Sequence, residues 1–392
     1  MSCCSQAEIG AGEDNALVES YQQRFRNGRQ KKDQSRGEKA FIAILKTVYC
    51  TAGYWVPSSC CYMYVLWLLC LSCFQLVYDL FTVFNCPNFD CRFLIDTKTH
   101  TNPMRKAQNA AYTLASIGGL FSYVFMIATL YVARNKKKNA LGPTAIKKDI
   151  SKSRLCTLVL LLVIIGTCYA ASVSMFYYLV RNQISSRKFI LLATGVGSQL
   201  ITQWTGLVAC FVFAGSSLAL GAFSRDLETR IKAMETENVN SSIVMHQEFA
   251  RIVSDTVDSF SLWFVFHWIL YGLTTIVALV VVASHFGNEH NVIKEIYLCF
   301  FLGIHLFMFV FPCVCAAYIT STCNGVISRL NNTSEDDWPD RHIFRDRAKL
   351  QLFISYARDS SVGFRIGRIT FTSTLAWFSF FLGSSGLLFR VF

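Results

Sequence analysis

The chain has 392 residues, of which 53% are hydrophobic, 14% aromatic and only 16% charged, and its mean hydropathy is positive. Soluble domains devote about a quarter of their residues to Lys, Arg, Asp and Glu, so this composition excludes a soluble protein of this length. The net charge of +12 would suit a nucleic acid, but the bases lie between apolar runs, so the expected partner is an anionic membrane face and not nucleic acid.

In chain order, residues 1–50 are read as a largely disordered cytoplasmic segment, polar and mixed in charge up to residue 39, with no apolar core and cleavage site of a signal peptide. Residues 51–392 are read as an all-α polytopic membrane domain. Apolar runs stand at about 58–85, 111–133, 155–180, 189–223, 262–285, 295–322 and 369–389. Each exceeds the length of roughly 18 apolar residues that marks a spanning helix. None contains a Lys or Arg, although the chain has 37 of them, and one such charge at a span centre would cost at least about 2.5 kcal/mol.

Orientation follows from those bases. The amino-terminal segment and the second, fourth and sixth connections carry 28 Lys or Arg, against 9 on the other side. Positive charge stays in the cytoplasm, which puts the amino terminus inside and, after seven crossings, the carboxyl terminus outside. The sequons at Asn240, Asn331 and Asn332 then fall in the cytoplasm and are expected to carry no glycan.

The fourth run is too long for the membrane. Its 35 uncharged residues would make a helix of roughly 52 Å, against about 30 Å of hydrocarbon, so it is expected to continue into the cytoplasm. Beyond it Ile243, His246, Phe249, Val253 and Val257 recur at helical spacing, as do Leu350, Phe353, Ile354, Ala357 and Ser361. These predict cytoplasmic helices over about 224–261 and 323–368. Two arrangements fit the pattern, helices packed on one another and helices lying on the lipid surface.

The last run carries a motif. Gly363-Phe364 is followed by Thr370-Phe371, five residues, and Trp377-Phe378. This resembles the ending of animal gustatory receptors, a Gly-Phe pair, then Thr-Tyr, five mostly apolar residues and Gln-Phe. Phe371 replaces the usual Tyr and Trp377 the usual Gln, and 14 residues follow Phe378, which marks a divergent member. His246-Gln247-Glu248-Phe249 to Ser259-Phe260-Ser261 resembles the lead into the family's fifth span, and Ala316-Ala317-Tyr318 to Ser328-Arg329-Leu330 its sixth-span exit. The resemblance implies a ligand-gated, non-selective cation channel of the plasma membrane, a homotetramer or a heteromer with related subunits. It further implies a pore lined by the seventh span, an anchor of cytoplasmic helices, a small-molecule ligand and permeant cations.

Physics offers two readings of that last span. Thr370, Thr374, Trp377 and Phe381 recur at helical spacing, with Phe378 beside them. The hydroxyls would face water while the aromatics form a constriction that gates by dewetting. Alternatively the hydroxyls bond their own helix and the aromatics pack on neighbours. The outer halves of spans two to six bring Tyr112, Tyr169, Phe176, Gln199, Tyr297 and His305, the aromatic and hydrogen-bonding types that line small-molecule cavities and that also serve helix packing. His267 and His305 lie within spans, where an ionisable group is functional by default or bonds a neighbouring helix.

Other chemistry is sparse. Cys86 and Cys91 share the first outer connection, as a disulfide or as two free thiols. Cys3 and Cys4 are acylation candidates or free thiols. Cys313 and Cys315 point in different directions on a helix, so no metal site is expected. Without a phosphate loop, paired carboxylates or a nucleophile elbow, neither an enzyme nor a cofactor is expected. A chemosensory channel is the leading function class. A non-channel signalling receptor responding to chemicals, light or stress is the alternative, and a transporter lacks its expected internal repeat.

Overall fold

The computed structural model describes residues 36–54, 59–85, 102–135, 152–181, 189–234, 239–285, 292–360, 362–377, 379 and 381. They form helices α1 Arg36–Thr51, α2 Ser59–Asn85, α3 Asn102–Asn135, α4 Lys152–Arg181, α5 Phe189–Lys232, α6 Val239–His285, α7 Val292–Asn331 and α8 Arg347–Asp359. Six of these, α2 to α7, are long and apolar enough to cross a membrane, and the chain is a multi-pass helical membrane protein. A terminal helix begins at Ser373; the remainder of the seventh apolar run lies outside the described residues.

The amino-terminal segment departs from expectation, because residues 36–51 are helical and packed. Leu45 and Tyr49 of α1 are buried, and the Tyr49 hydroxyl donates to the Phe211 carbonyl at 2.9 Å. Gly53, at φ 72°, ends α1: Tyr54 N–H bonds the Tyr49 carbonyl at 2.9 Å and Gly53 N–H the Cys50 carbonyl at 3.0 Å. That pair of bonds is a Schellman cap, which favours glycine at this position. The cap turns Tyr54 into the core, where its hydroxyl reaches the Thr205 carbonyl at 3.0 Å.

Helix α5 is the hub. Within Gly197–Lys232, 94% of the apolar window lies inside, against 22% for Tyr62–Leu80 in α2. Small residues make this possible, since helices in lipid associate by close backbone approach. Gly119 of α3 sits against Thr202 of α5, where an added Cβ would come within 3.0 Å of the Thr202 carbonyl oxygen. Its neighbour Gly118 faces α6, with Leu270 at 3.5 Å from the same point. Consecutive helical residues point about 100° apart, so this pair lets α3 wedge between α5 and α6.

Helices α5 and α6, at 44 and 47 residues, are roughly 66 and 70 Å long against about 30 Å of hydrocarbon. The excess lies at one end, where Asp226, Glu228, Arg230 and Lys232 end α5 and Glu248, Arg251, Asp255 and Asp258 sit in the first half of α6. There the two helices join α7 and α8 in a base, with Leu350, Phe353, Ile354 and Ala357 of α8 buried. Asp346 caps α8, accepting from Ala348 N–H at 2.9 Å. Before it, His342 accepts from Phe344 N–H at 3.0 Å and donates to the Ile231 carbonyl at 2.7 Å, tying the connection to the end of α5.

The helical pattern expected to reach residue 368 stops at Asp359. A two-strand antiparallel hairpin follows, β1 Arg365–Ile366 and β2 Ile369–Thr370, paired Arg365 to Thr370 and Ile366 to Ile369. Its two-residue loop starts with Gly367 at φ 58°, the left-handed conformation such tight loops demand. Phe364 anchors the hairpin: its N–H donates to Thr320 Oγ1 at 3.0 Å, and its ring packs on Phe213, Phe264 and Phe371 at 5.6, 4.9 and 5.8 Å. Gly363 lies on Thr320, where a Cβ would come to 3.2 Å. The helix expected from residue 369 therefore starts at Ser373, after Thr372, whose Oγ1 accepts from Leu375 N–H at 3.4 Å as a helix cap does.

Candidate functional site

Four of the expected pocket residues converge at the end of the bundle away from the base. The Tyr112 hydroxyl of α3 meets that of Tyr297 on α7 at 3.0 Å. Phe176 of α4 lies 5.4 Å from the Tyr297 ring, and Phe301 lies 5.2 Å from Tyr112 and 4.2 Å from His305. Ala278, Val281 and Val282 of α6 and Leu298 complete the buried cluster. His305 Nδ1–H donates to the Phe301 carbonyl at 2.7 Å, while its Nε2 and the nearby Tyr271 hydroxyl are buried without a hydrogen-bond partner among the described residues. Buried polar groups are paired in nine cases of ten or more, so unpaired ones beside aromatic walls fit the make-up of a small-molecule cavity.

Tyr169 and Gln199 do not join this cluster. The Tyr169 hydroxyl donates to the Leu200 carbonyl, and its ring stacks on Trp204 at 6.0 Å, which ties α4 to α5. Gln199 is half-buried on α5, one residue before that carbonyl.

His267 has a different setting. Proline at position 312 has no N–H, so the carbonyl four residues earlier, Met308, loses its helical partner. His267 Nε2–H replaces it at 2.9 Å, and Cys210 Sγ lies 3.3 Å from the same nitrogen. On the other side of the ring, Ser122 donates to Nδ1 at 2.8 Å and accepts from Trp263 Nε1 at 3.0 Å. Every polar atom of this histidine is used in holding α3, α6 and α7 together.

The terminal helix places the expected gate residues unevenly. Thr370 is half-buried in β2 and is not on the helix, because the hairpin occupies its position. Thr374, Trp377 and Phe381 form one exposed stripe; Trp377 and Phe381 are each 62% exposed, with ring centroids 6.3 Å apart. The opposite side packs inward through Ala376 and Ser379, and the Ser379 hydroxyl bonds the Leu375 carbonyl at 3.0 Å. The side chain of Phe378 lies outside the described residues, as do Cys3, Cys4, Cys86 and Cys91.

One polar network escaped the sequence reading. Asp79 of α2 is buried and accepts from Gln75 Nε2 at 2.8 Å and from the Ser116 hydroxyl of α3. Ser198 of α5 donates to Gln75 Oε1 at 2.6 Å, and Thr202 to Ser72 at 3.3 Å. A lone acid in an apolar run invites attention, but the network it joins spans α2, α3 and α5, which sequence spacing does not connect.

No protein-family model matches the chain, and no curated protein matches it in sequence. Solved structures do match its fold. The olfactory receptor OR5 of the insect Machilis hrabei, in complex with eugenol, superposes with a TM-score of 0.63 at 12% identity, over 90% of this chain and 98% of that one. A second structure of the same receptor gives a TM-score of 0.58 at 12% identity, over 90% and 97%. The fold expected from the gustatory resemblance is thus the fold of an insect olfactory receptor.

Proposed function

We propose that this chain is the subunit of a chemosensory cation channel of the gustatory-receptor-like type, in the plasma membrane with its base in the cytoplasm. Four copies surround a pore lined by the terminal helix, and a small, largely apolar ligand binds among Tyr112, Phe176, Tyr297, Phe301 and His305. The observation that carries this reading is the terminal helix, packed through Ala376 and Ser379 and exposing Thr374, Trp377 and Phe381. A stripe of hydroxyl and aromatic groups on a helix of this fold suits a water-filled axis with an apolar constriction. The neighbour that holds eugenol supports a ligand of similar size and polarity, and the unpaired His305 Nε2 and Tyr271 hydroxyl supply hydrogen bonds for one polar group.

Electrical recording from the purified chain in planar bilayers tests this, with a panel of small phenols, alcohols and sugars, eugenol included, as probes. Unitary cation currents that rise with one class of compound are the expected result. A reconstituted, folded protein that binds a compound yet never conducts would assign the chain to the non-channel receptors instead.

A further inference from the structure

Where the inner ends of α4, α5 and α7 meet, three guanidinium groups converge at the boundary of the apolar surface. Arg154, in the first turn of α4, hydrogen-bonds the Tyr318 hydroxyl of α7 and lies 5.3 Å over its ring. That same hydroxyl lies against Gly221 of α5, in the space a Cβ would fill. Arg225 is one helical turn beyond Gly221 and so shares that face. Arg329 is on the Tyr318 side of α7, reached through Thr322 and Gly325, and bonds Glu228 of α5 at 2.6 Å. Arg225 therefore stands between Arg154 and Arg329.

Among the described residues the charges do not balance. Glu228 is shared by Arg329 and Lys232, at 2.6 and 3.2 Å, and Asp226 is held by Arg230 at 3.0 Å. Among the described residues no carboxylate lies within ion-pair distance of Arg154 or Arg225. Half-burial first, and then the charges of Arg154 and Arg329, hold the Arg225 pKa below its ordinary value. Like charges so arranged cost free energy unless an anion sits among them. Toward the other end of the bundle exposed apolar residues begin within two turns, with Leu160 and Ile164 on α4 and Val314 on α7.

We infer that Arg154, Arg225 and Arg329 form a binding site for a phosphate ester, supplied by an anionic phospholipid whose acyl chains lie along Leu160, Ile164 and Val314. Arginine suits the role because its planar fork meets phosphate oxygens in pairs. These exposed apolar residues select a lipid over a free phosphate ester, and the basic face of the chain matches the leaflet that carries anionic lipid.

The test is independent of whether the chain conducts. Full-length protein in detergent is mixed with dioctanoyl phosphatidylinositol bisphosphate, phosphatidylcholine of equal chain length, or inositol trisphosphate, and retention is read by native mass spectrometry. The intact chain is expected to hold the anionic lipid at least about tenfold more tightly than phosphatidylcholine. Arg154→Gln with Arg225→Gln should lose about that factor while Arg358→Gln, on the exposed side of α8, keeps it. The thermal transition of each variant shows whether it is folded. Equal retention by the folded double variant, or no preference over phosphatidylcholine, overturns the site. Binding of inositol trisphosphate as tight as the lipid's, lost in the double variant, overturns the lipid source.

Discussion

Helix α5 and the terminal helix are both apolar, yet neighbours enclose one and leave a face of the other exposed. Around α5 every side is occupied, and its buried hydroxyls are paired: Ser216 and Ser217 bond the carbonyls of Val212 and Phe213 at 3.1 and 2.9 Å. The terminal helix has an inner side that is equally tight, but Thr374, Trp377 and Phe381 look outward. Helix α2 also has an outward side, with Tyr62, Met63, Leu66, Trp67 and Val77 exposed, yet those residues cover a broad apolar face, roughly 140° wide, as lipid contacts do. A narrow stripe that mixes a hydroxyl with large aromatics is the surface that the proposed pore assigns to assembly.

Breaking the enclosed region should have the largest effect. His267→Ala strands the Met308 carbonyl together with Trp263 and Ser122, and should lower stability by about 2–4 kcal/mol, read from thermal or denaturant unfolding in detergent. In a Pro312→Ala background the restored N–H serves Met308, so the same substitution should cost less by about 1 kcal/mol. Equal losses in both backgrounds would show that the histidine does not substitute for the missing helical bond. Next comes Gly206→Ala, whose Cβ would fall on the Tyr271 hydroxyl; overpacking of this kind costs about 1–3 kcal/mol, and the same unfolding measurement reads it.

The base offers a pH test. His246 is buried against Phe353 and Tyr356, at 6.0 and 5.8 Å between ring centroids, and burial pushes its pKa down from 6.5 to about 4. The unfolded chain therefore takes up a proton first as pH falls. Stability should be full above the unfolded value, decline between pH 6.5 and about 4, and level off below. His246→Phe should flatten that part of the profile, and an unchanged slope would place the proton uptake elsewhere.

The smallest effect belongs to the proposed cavity. Tyr297→Phe removes one hydrogen bond, worth about 0.5–1.5 kcal/mol, and should move the half-maximal concentration of an active compound by about three- to tenfold at matched surface expression. Tyr169→Phe, which alters the seam between α4 and α5, should leave it in place. The reverse ranking would move the cavity to that seam.

What the sequence revealed divides along the same line. Apolar runs without Lys or Arg are visible from composition, so α2 to α7 and the overlength of α5 could be read directly. The hairpin could not. Ile369 and Thr370 continue the apolar and hydroxyl pattern of the last run, and only the left-handed turn at Gly367 separates them from the helix. Helix α1 was legible in the helical spacing of Ile42, Leu45, Tyr49 and Ala52, but the polar stretch before it led residues 1–50 to be read as one largely disordered segment. In the candidate site, residue types pointed to Tyr112, Phe176, Tyr297 and His305, but long-range packing decided that Tyr169 ties α4 to α5 and that Asp79 sits in a network of three helices.

The central claim is that the exposed stripe of the terminal helix closes a pore. Basal current from cells carrying Trp377→Ala or Phe381→Ala, at matched surface protein and with no added compound, tests it most directly. A ring of aromatic side chains keeps hydrated ions out by expelling water, so removing one should produce a standing cation leak absent from the unaltered chain. Normal surface levels with silent membranes in both variants would contradict the account and return Trp377 and Phe381 to contacts with lipid or neighbouring helices.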